Sequence, residues 1–320
     1  MRKELGIFVL LLALCAVVAV MNPRFLGSAN LQNMARLIGM YGIFSIGLGI
    51  VIITGGIDLS VGSLFALGGV VLSILLVERH WAGPVAALAV VAGSTGLGWV
   101  HGLLITRVRL QPFIVTLCGL LFYRGVARFI ANDETKGFGS AQGFESLRNL
   151  ATGSLLGLPM PLVLLVLVSI VTGFLLHRSV YGRYLFAVGR NEDAARFAGV
   201  NSRRVVASAY VLSGLLAGIA GVLIAFYTNS VSPSSHGSFY ELYGIAAAVL
   251  GGCSLRGGEG SVAGILIGTA LLQVLQNLVN LLGIPSSLNF AVMGAVILLG
   301  VLADEVLRRR GADRRAAATT

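Results

Sequence analysis

The chain has 320 residues, of which 56% are hydrophobic and only 11% are charged. Soluble domains carry about 25% charged residues, so the composition excludes a soluble globular protein and indicates a surface that faces lipid. The net charge of +10 does not indicate a nucleic-acid-binding protein, because the basic residues lie between long apolar runs and at the two ends rather than along one face.

Apolar runs long enough to cross a bilayer recur along the whole chain. A spanning helix needs about 20 apolar residues. Two runs are weak candidates, because 59–78 follows its predecessor almost at once and 241–255 is short. The sequence therefore predicts an all-α integral membrane protein with about ten transmembrane helices, at residues 5–21, 35–53, 59–78, 83–106, 113–131, 161–178, 205–227, 241–255, 261–282 and 289–304.

Basic residues mark both ends of the chain. Met1-Arg2-Lys3 precedes the first run as in a secretory signal, but no small-x-small cleavage site ends that run, so we interpret it as a retained helix. With the N-terminus in the cytoplasm, sixteen of the 23 Lys and Arg residues fall on the cytoplasmic side and seven outside. This bias predicts that both termini are cytoplasmic. We expect one transmembrane domain at 1–307 and a basic, disordered tail at 308–320.

A glycine-rich break separates two of the runs at residues 54–60. Gly55 and Gly56 interrupt a helix easily, and Asp58, followed by Ser60, supplies a carboxylate that accepts amide protons at a new helix start. Because almost no loop separates the two runs, we predict a broken or re-entrant segment, which a membrane tolerates only where protein buries it or where it lines a cavity. A plain cytoplasmic turn capped by Asp58 is the alternative.

The segment 179–204, which we predict to be cytoplasmic, contains a short polar helix. Asn191 is a good N-cap, and Glu192 and Asp193 place negative charge in the first turn, where the helix dipole favours it. Glu192 and Arg196 are spaced for an i, i+4 ion pair, and Gly199 suits the position that ends a helix. A helix of about two turns is marginal by itself in water, so we expect it to rest on its own chain or on a partner.

Two ordered motifs resemble those of a known family. They are Gly55-Gly56-Ile57-Asp58-Leu59-Ser60-Val61-Gly62-Ser63 and Val188-Gly189-Arg190-Asn191-Glu192-x-Ala194-Ala195-x-x-x-Gly199-Val200-Asn201. A later helix carries Leu212-Ser213-Gly214-Leu215-x-Ala217-x-x-Ala220-Gly221, and Asn22-Pro23-x-Phe25-Leu26 lies early in the chain. Together these motifs resemble the membrane permeases of ribose-type ATP-binding-cassette importers, whose relatives serve xylose, galactose and autoinducer-2-type sugars. The resemblance covers about residues 5–305 and is specific for the family, not for the sugar.

The resemblance implies a role for the short helix at 191–199. In that family this stretch holds the coupling helix, which docks into a cleft on a cytoplasmic ATPase and transmits its movement to the pore. The small residues Ala194 and Ala195 would let the helix sit deep in the cleft. A cytoplasmic loop that packs only on its own chain is the alternative. The residues to which the resemblance gives the coupling role are Asn191, Glu192, Asp193, Ala194, Ala195 and Gly199.

The resemblance also implies the setting in which the chain works. A monosaccharide or related small polar solute would cross by alternating access in the bacterial inner membrane. The partners would be an ATP-binding subunit, an extracytoplasmic sugar-binding protein and a second permease copy or homologue. ATP and magnesium would bind the partner ATPase, so no cofactor is expected on this chain.

The lysines of the chain argue that its energy source lies elsewhere. A phosphate-binding loop of the Gly-x-x-x-x-Gly-Lys-Ser/Thr type needs a lysine after its second glycine. Lys3 and Lys136 are the two lysines of the sequence, and neither has that context. We therefore predict a transport subunit that is not itself an enzyme.

Amide side chains in the run 261–282 form a candidate substrate path. Their spacings of three, four and seven place them on one helix face, where amides can hydrogen-bond sugar hydroxyls without adding charge. Hydrogen bonding between helices is an equally good interpretation. The four residues are Gln273, Gln276, Asn277 and Asn280.

Arg124 and Arg128 lie four residues apart near the outer end of another span. They could meet acidic groups of an external binding protein. Arginines at such positions more often extend their charge to the membrane interface.

Two other classes of function remain open from the sequence. An ion-coupled secondary transporter needs carboxylates inside the membrane, for which Asp58 is the main candidate, while Glu241, Asp304 and Glu305 lie at the ends of predicted spans. An intramembrane enzyme with a Ser–His pair would use His101, but no zinc-protease motif is present.

Overall fold

A computed structural model describes residues 2–139 and 143–285, together with positions 288, 291, 294, 295 and 298. Within those residues the chain forms twelve α-helices. Their bounds are α1 Arg2–Met21, α2 Ser28–Ile53, α3 Val61–Ser73, α4 Gly83–Thr106, α5 Pro112–Ile130, α6 Glu145–Thr152, α7 Met160–His177, α8 Val180–Arg190, α9 Glu192–Phe197, α10 Ser202–Thr228, α11 Tyr240–Leu250 and α12 Val262–Leu281.

Short irregular and extended pieces complete the described chain. A 3-10 turn, Pro23–Leu26, links α1 to α2, and a π-helical turn, Ile74–Glu78, prolongs α3. Two antiparallel pairs of two-residue strands lie near α6. They join β1 (Lys136–Gly137) to β4 (Ser230–Val231), and β2 (Ser154–Leu155) to β3 (Leu158–Pro159).

The prediction of an all-α membrane protein is confirmed. Among the described residues, eight helices are long and apolar enough to cross a membrane, counting α3 with its π-helical turn as one. Helix α2 begins at Ser28, seven residues before the predicted start. The predicted full span at 241–255 is wrong, because α11 has 11 residues, or about 17 Å at 1.5 Å per residue. Apart from positions 291, 294, 295 and 298, the predicted span 289–304 lies outside the described residues, as do Asp304, Glu305 and the tail 308–320.

Helices α2 and α10 form the centre of the fold, and both are far more buried than α1, which lies at the periphery. Small residues allow the close packing around them. The α4 backbone at Gly98 lies against the carbonyl of Tyr210, and a Cβ at Gly214 would meet the carbonyl of Ser94. Close approach at small residues is how membrane helices gain packing energy without a hydrophobic driving force between them.

The fold has two ends, which we name after their small helices. The α6 end holds α6 and both strand pairs. The α9 end holds α8 and α9, the C-terminus of α2, and the N-terminus of α12, where Val262 N contacts His177 Nε2 at 3.5 Å.

Two short helices begin in the interior and run toward opposite ends. Helix α3 starts beside Ser213 of α10 and reaches the α6 end, where Ser73 Oγ donates to Gly137 O at 2.8 Å. Helix α11 starts beside Gly62, in the first turn of α3, and ends beside Gly264 at the α9 end. Ser213 lies eleven residues into α10, or about 16 Å from its start, so both helices begin deep within the fold.

Candidate functional site

Asp58 organises the start of α3. Its carboxylate is 2% exposed. Oδ1 accepts hydrogen bonds from Ser60 N at 3.0 Å and from Ser60 Oγ at 2.6 Å, and Oδ2 accepts one from Ser213 Oγ at 2.9 Å. A negative charge is stabilised at the N-terminus of a helix. Asp58 therefore turns the chain into α3 and fastens that turn to α10.

The break before Asp58 lies inside the protein, as the re-entrant prediction requires. Gly55 has a φ of +82°, which favours glycine, and a Cβ on Gly56 would lie 2.4 Å from Tyr210 Oη. The carbonyl of Ile57 accepts hydrogen bonds from Tyr210 and Thr116, each at 3.3 Å. These side chains replace the helical bonds that the break interrupts. The alternative of a plain cytoplasmic turn is wrong for Asp58 and Ser60, which are both buried.

Glu241 and Arg124 complete this buried junction. The Glu241 carboxylate, in the first turn of α11, lies against Gly62, where a Cβ would collide with it and with Gly237 O. Arg124 points inward and donates to His236 O at 2.6 Å, Pro233 O at 3.2 Å and Gly62 O at 3.3 Å. Arg124 thus joins α5 to α3 and to the segment before α11, and the interface-snorkelling interpretation does not hold for it.

Arg128 behaves differently from Arg124. Its guanidinium makes two hydrogen bonds to the Asp133 carboxylate, at 2.6 and 2.7 Å, and both side chains are about half exposed. The pair lies at the α6 end of α5. An exposed pair of this kind contributes little to stability.

Two histidines, His236 and His101, lie near the junction. Burial and the Arg124 guanidinium lower the pKa of His236, which lies between α10 and α11, to about 4. His101 Nε2 and Tyr123 Oη form a hydrogen bond of 2.7 Å. The Ser–His pair considered from the sequence is therefore not formed by this nitrogen of His101. The hydrogen bonds on both oxygens of Asp58 likewise give no support to an ion-coupled site there.

Helix α9 has the predicted bounds and caps. Asn191 Oδ1 accepts a hydrogen bond from Ala194 N at 2.9 Å, and Gly199 ends the segment with a φ of +84°. Arg196 pairs with Asp193 at 2.9 Å, three residues away, in place of the predicted pair with Glu192.

The exposed face of α9 differs in part from the expected one. Glu192, Asp193 and Ala194 are exposed, whereas Ala195 packs into the core of its own chain with 6% exposure. The sequence analysis missed Phe197, whose side chain is 86% exposed. A large aromatic residue at the end of a polar helix was the available signal.

Helix α8 connects this surface to the break. Leu185 and Val188 are buried. Gly189 lies so close to the end of α2 that a Cβ there would stand 1.8 Å from Ile53 O and 2.6 Å from Gly258 N. Ile53 O also accepts a hydrogen bond from Gly258 N at 2.8 Å. Three segments therefore meet where α2 gives way to the 54–60 break.

The predicted amide face of α12 changes in exposure along the helix. Gln273 is buried, Gln276 is partly buried and Asn280 is exposed. Asn277 forms a reciprocal amide pair with Asn30 of α2, with N–H···O distances of 2.7 and 3.1 Å. For Asn277 the structure shows the interhelical hydrogen bonding considered as the alternative.

Comparison with known proteins identifies the family. The family described as "Branched-chain amino acid transport system / permease component" matches residues 30–301. The chain belongs to this permease family. Two relatives are ribose import permease proteins. The one from Bacillus subtilis is 38% identical to this chain, over 94% of this chain and 92% of that protein. The one from Escherichia coli K12 is 39% identical, over 92% of this chain and 91% of that protein. The L-arabinose transport system permease protein of E. coli K12 is 33% identical over 94% and 90%.

Membership settles the general role of the chain. As a member of this permease family, it is a multi-pass membrane transport subunit and not an enzyme. The family-level resemblance drawn from the Gly55–Ser63 and Val188–Asn201 motifs is confirmed. The ion-coupled alternative receives no support from these relatives.

Proposed function

We propose that the chain is the membrane-spanning subunit of an ATP-binding-cassette importer that carries a monosaccharide, with ribose and other pentoses as the leading substrates. The observation that carries this proposal is the identity of 38% and 39% with ribose import permeases over more than nine tenths of both chains. The 33% identity with an L-arabinose permease extends the substrate class to a second pentose.

The partners follow from this assignment. A cytoplasmic ATPase binds ATP and magnesium, an extracytoplasmic protein delivers the sugar, and a second permease copy or homologue completes the pore. The α9 end faces the cytoplasm of the bacterial inner membrane, and residues 1–307 act as one domain with the 308–320 tail inside. The Arg and Lys bias toward that side supports this orientation.

The proposed contact with the ATPase is the exposed face of α9. Asn191, Glu192 and Asp193 provide a polar rim, and Ala194 and Gly199 are small exposed residues beside it. Phe197 provides an apolar anchor of the kind that dominates binding energy at protein interfaces. Because Ala195 is held in the core, it links α9 to the rest of the chain and has no direct contact with the partner.

The proposed response to ATPase movement passes through α8. A shift of α9 displaces Gly189 against Ile53 and Gly258, at the entrance to the break. The break ends at Asp58, which is bonded to Ser213 of α10. Movement would thereby reach the two half-length helices and reorient them around the central path.

The proposed sugar path includes the amide face of α12. Gln273, Gln276 and Asn280 offer neutral donors and acceptors that match sugar hydroxyls. Asn277 would join them only after its pair with Asn30 opens. A neutral path suits an uncharged solute in a membrane interior, where charges are costly.

Uptake by cells tests the substrate and the energy source together. The gene is deleted in the host and restored as wild type or as Gly199→Arg, and initial uptake of radiolabelled D-ribose, L-arabinose and L-leucine is measured. We expect the deletion to remove pentose uptake, the wild type to restore it, and the variant to reach the membrane without restoring it or capturing the ATPase. Loss of leucine uptake alone, or pentose uptake that follows the proton gradient and ignores ATP, would refute the proposal.

A further inference from the structure

A long groove opens on the surface between α1, α7 and α12. It encloses about 880 Å³, within the range of roughly 300–1,000 Å³ found for small-molecule sites. Its floor includes Ile38 of α2 and Leu165 of α7, and its walls include Leu11 of α1 and Ile267 of α12. The groove is separate from the buried junction around Asp58 and from the exposed face of α9.

The α7 wall of the groove is a continuous apolar stripe. Val166, Ile170 and Phe174 recur at four-residue spacing, so they share one helix face. Their side chains are 51%, 64% and 67% exposed, and all three line the groove. The nine residues from Val166 to Phe174 are separated by eight helical steps and span about 12 Å, close to the roughly 15 Å of one leaflet of a 30 Å hydrocarbon core. The stripe therefore matches the depth of one acyl chain.

The groove becomes polar where it reaches the α9 end. Arg178, which is exposed, lies there with His177, Ser261 and Glu4. The Glu4 carboxylate accepts a hydrogen bond from Ser261 Oγ, so it is held against the start of α12. An apolar groove that ends at an exposed guanidinium is complementary to a lipid with an anionic headgroup.

We propose that this groove binds one anionic phospholipid, with an acyl chain along Val166, Ile170 and Phe174 and its phosphate at Arg178. A guanidinium forms charge-assisted, often bidentate, hydrogen bonds to phosphate oxygens. The site lies between the peripheral helix α1 and the bundle, so the lipid joins α1 to α7 in addition to the direct packing of α1 on α12.

Native mass spectrometry of the full-length chain tests the site. Delipidated protein is titrated with palmitoyl-oleoyl phosphatidylglycerol or with the zwitterionic phosphatidylcholine of the same chains. We expect one phosphatidylglycerol to be retained about fivefold more than phosphatidylcholine, the effect of one basic residue near a lipid surface. Arg178→Gln should abolish this preference. Arg183→Gln, which removes an exposed charge outside the groove, should preserve it.

A second pair of variants separates the groove from the rest of the lipid-facing surface. Gly173→Leu places a side chain into the groove at a position where a Cβ meets nothing within 4 Å, and Gly93→Leu does the same on α4, away from the groove. Only Gly173→Leu should reduce retention of both lipids. Equal retention of the two lipids by the wild type, equal effects of the two arginine variants, or no effect of Gly173→Leu would overturn the proposal. So would a protein dimer that Gly173→Leu alone dissociates while lipid retention stays unchanged.

Discussion

Gly189→Ala is the sharpest perturbation of the proposed route from α9 to the membrane helices. The added methyl group would stand 1.8 Å from Ile53 O and 2.6 Å from Gly258 N, whereas Cβ atoms do not approach such atoms within 3.0 Å. Both neighbours are backbone atoms, so neither can rotate away as a side chain would. Helix α8 must move away from the end of α2, and the Gly258 N–Ile53 O hydrogen bond must lengthen or break.

The energetic effect can be estimated by comparison with a glycine that has space around it. Gly189 and Gly125 both lie in helices, and a Cβ on Gly125 meets nothing within 4 Å. Alanine gains up to about 1 kcal/mol of helix propensity at either position. Overpacking costs about 1–3 kcal/mol and the weakened hydrogen bond about 1 kcal/mol at Gly189 alone. Gly189→Ala should therefore be less stable than Gly125→Ala by about 2–4 kcal/mol.

Two measurements on the same pair of variants check this estimate. Denaturant unfolding of the purified chain reports the stability difference, and pentose uptake in cells reports coupling. Disturbing an element that couples two sites alters coupling by about 0.5–2 kcal/mol, which corresponds to about a 2- to 30-fold loss of uptake. The exposed face of α9 is unchanged, so the ATPase should still co-purify. Equal stability and equal uptake for the two alanine variants would refute the contact between α8 and α2 as the path of coupling.

Three further predictions address other parts of the chain. Phe197→Ala should leave stability unchanged and weaken ATPase binding, measured by capture of the ATPase, by about 2 kcal/mol or more. The control is Phe129→Ala, which removes a similarly exposed ring on α5. An equal loss of capture in the two variants would count against α9 as the contact. Asp58→Leu leaves three buried donors without an acceptor, at about 1–3 kcal/mol each. Asp58→Asn retains an acceptor, so its loss of stability should be smaller by at least half. Unfolding curves of the two variants that coincide with that of the wild type would show that the carboxylate is dispensable. A double-mutant cycle of Asn30→Leu and Asn277→Leu should give a coupling energy of about 0.6–1.7 kcal/mol, and a value of zero would mean that the amide pair is absent in the membrane.

The local features of the coupling segment and of the break could be predicted from the sequence because their signals lie within a few residues. Asn191 and Gly199 bracket a helix whose caps are made by those same residues. Gly55, Gly56 and Asp58 mark the break, and the Asp58–Ser60 hydrogen bonds span two positions. Capping and turn chemistry depends on neighbours along the chain, so a single sequence is enough to predict it.

The junction itself could not be predicted, because its partners are far apart along the chain. Asp58 and Ser213 are 155 positions apart, and Arg124 and His236 are 112 apart. Nothing near Arg124 distinguishes an inward-facing arginine from one that reaches the interface. The half-length of α11 was hidden for a similar reason, since hydropathy reports an apolar run and not how deep in the fold it begins.

The charges at the junction bear on the choice between a sugar and an amino acid as substrate. In carriers with broken helices, half-helix N-termini bind the carboxylate of an anionic substrate. Here Asp58 already occupies the start of α3. Glu241, in the first turn of α11, lies against Gly62 in the first turn of α3. Arg124 supplies one cation, and His236 is neutral above a pH of about 4. The carboxylate of an amino acid would therefore have to share Arg124 with Asp58 and Glu241, whereas an uncharged pentose makes no such demand.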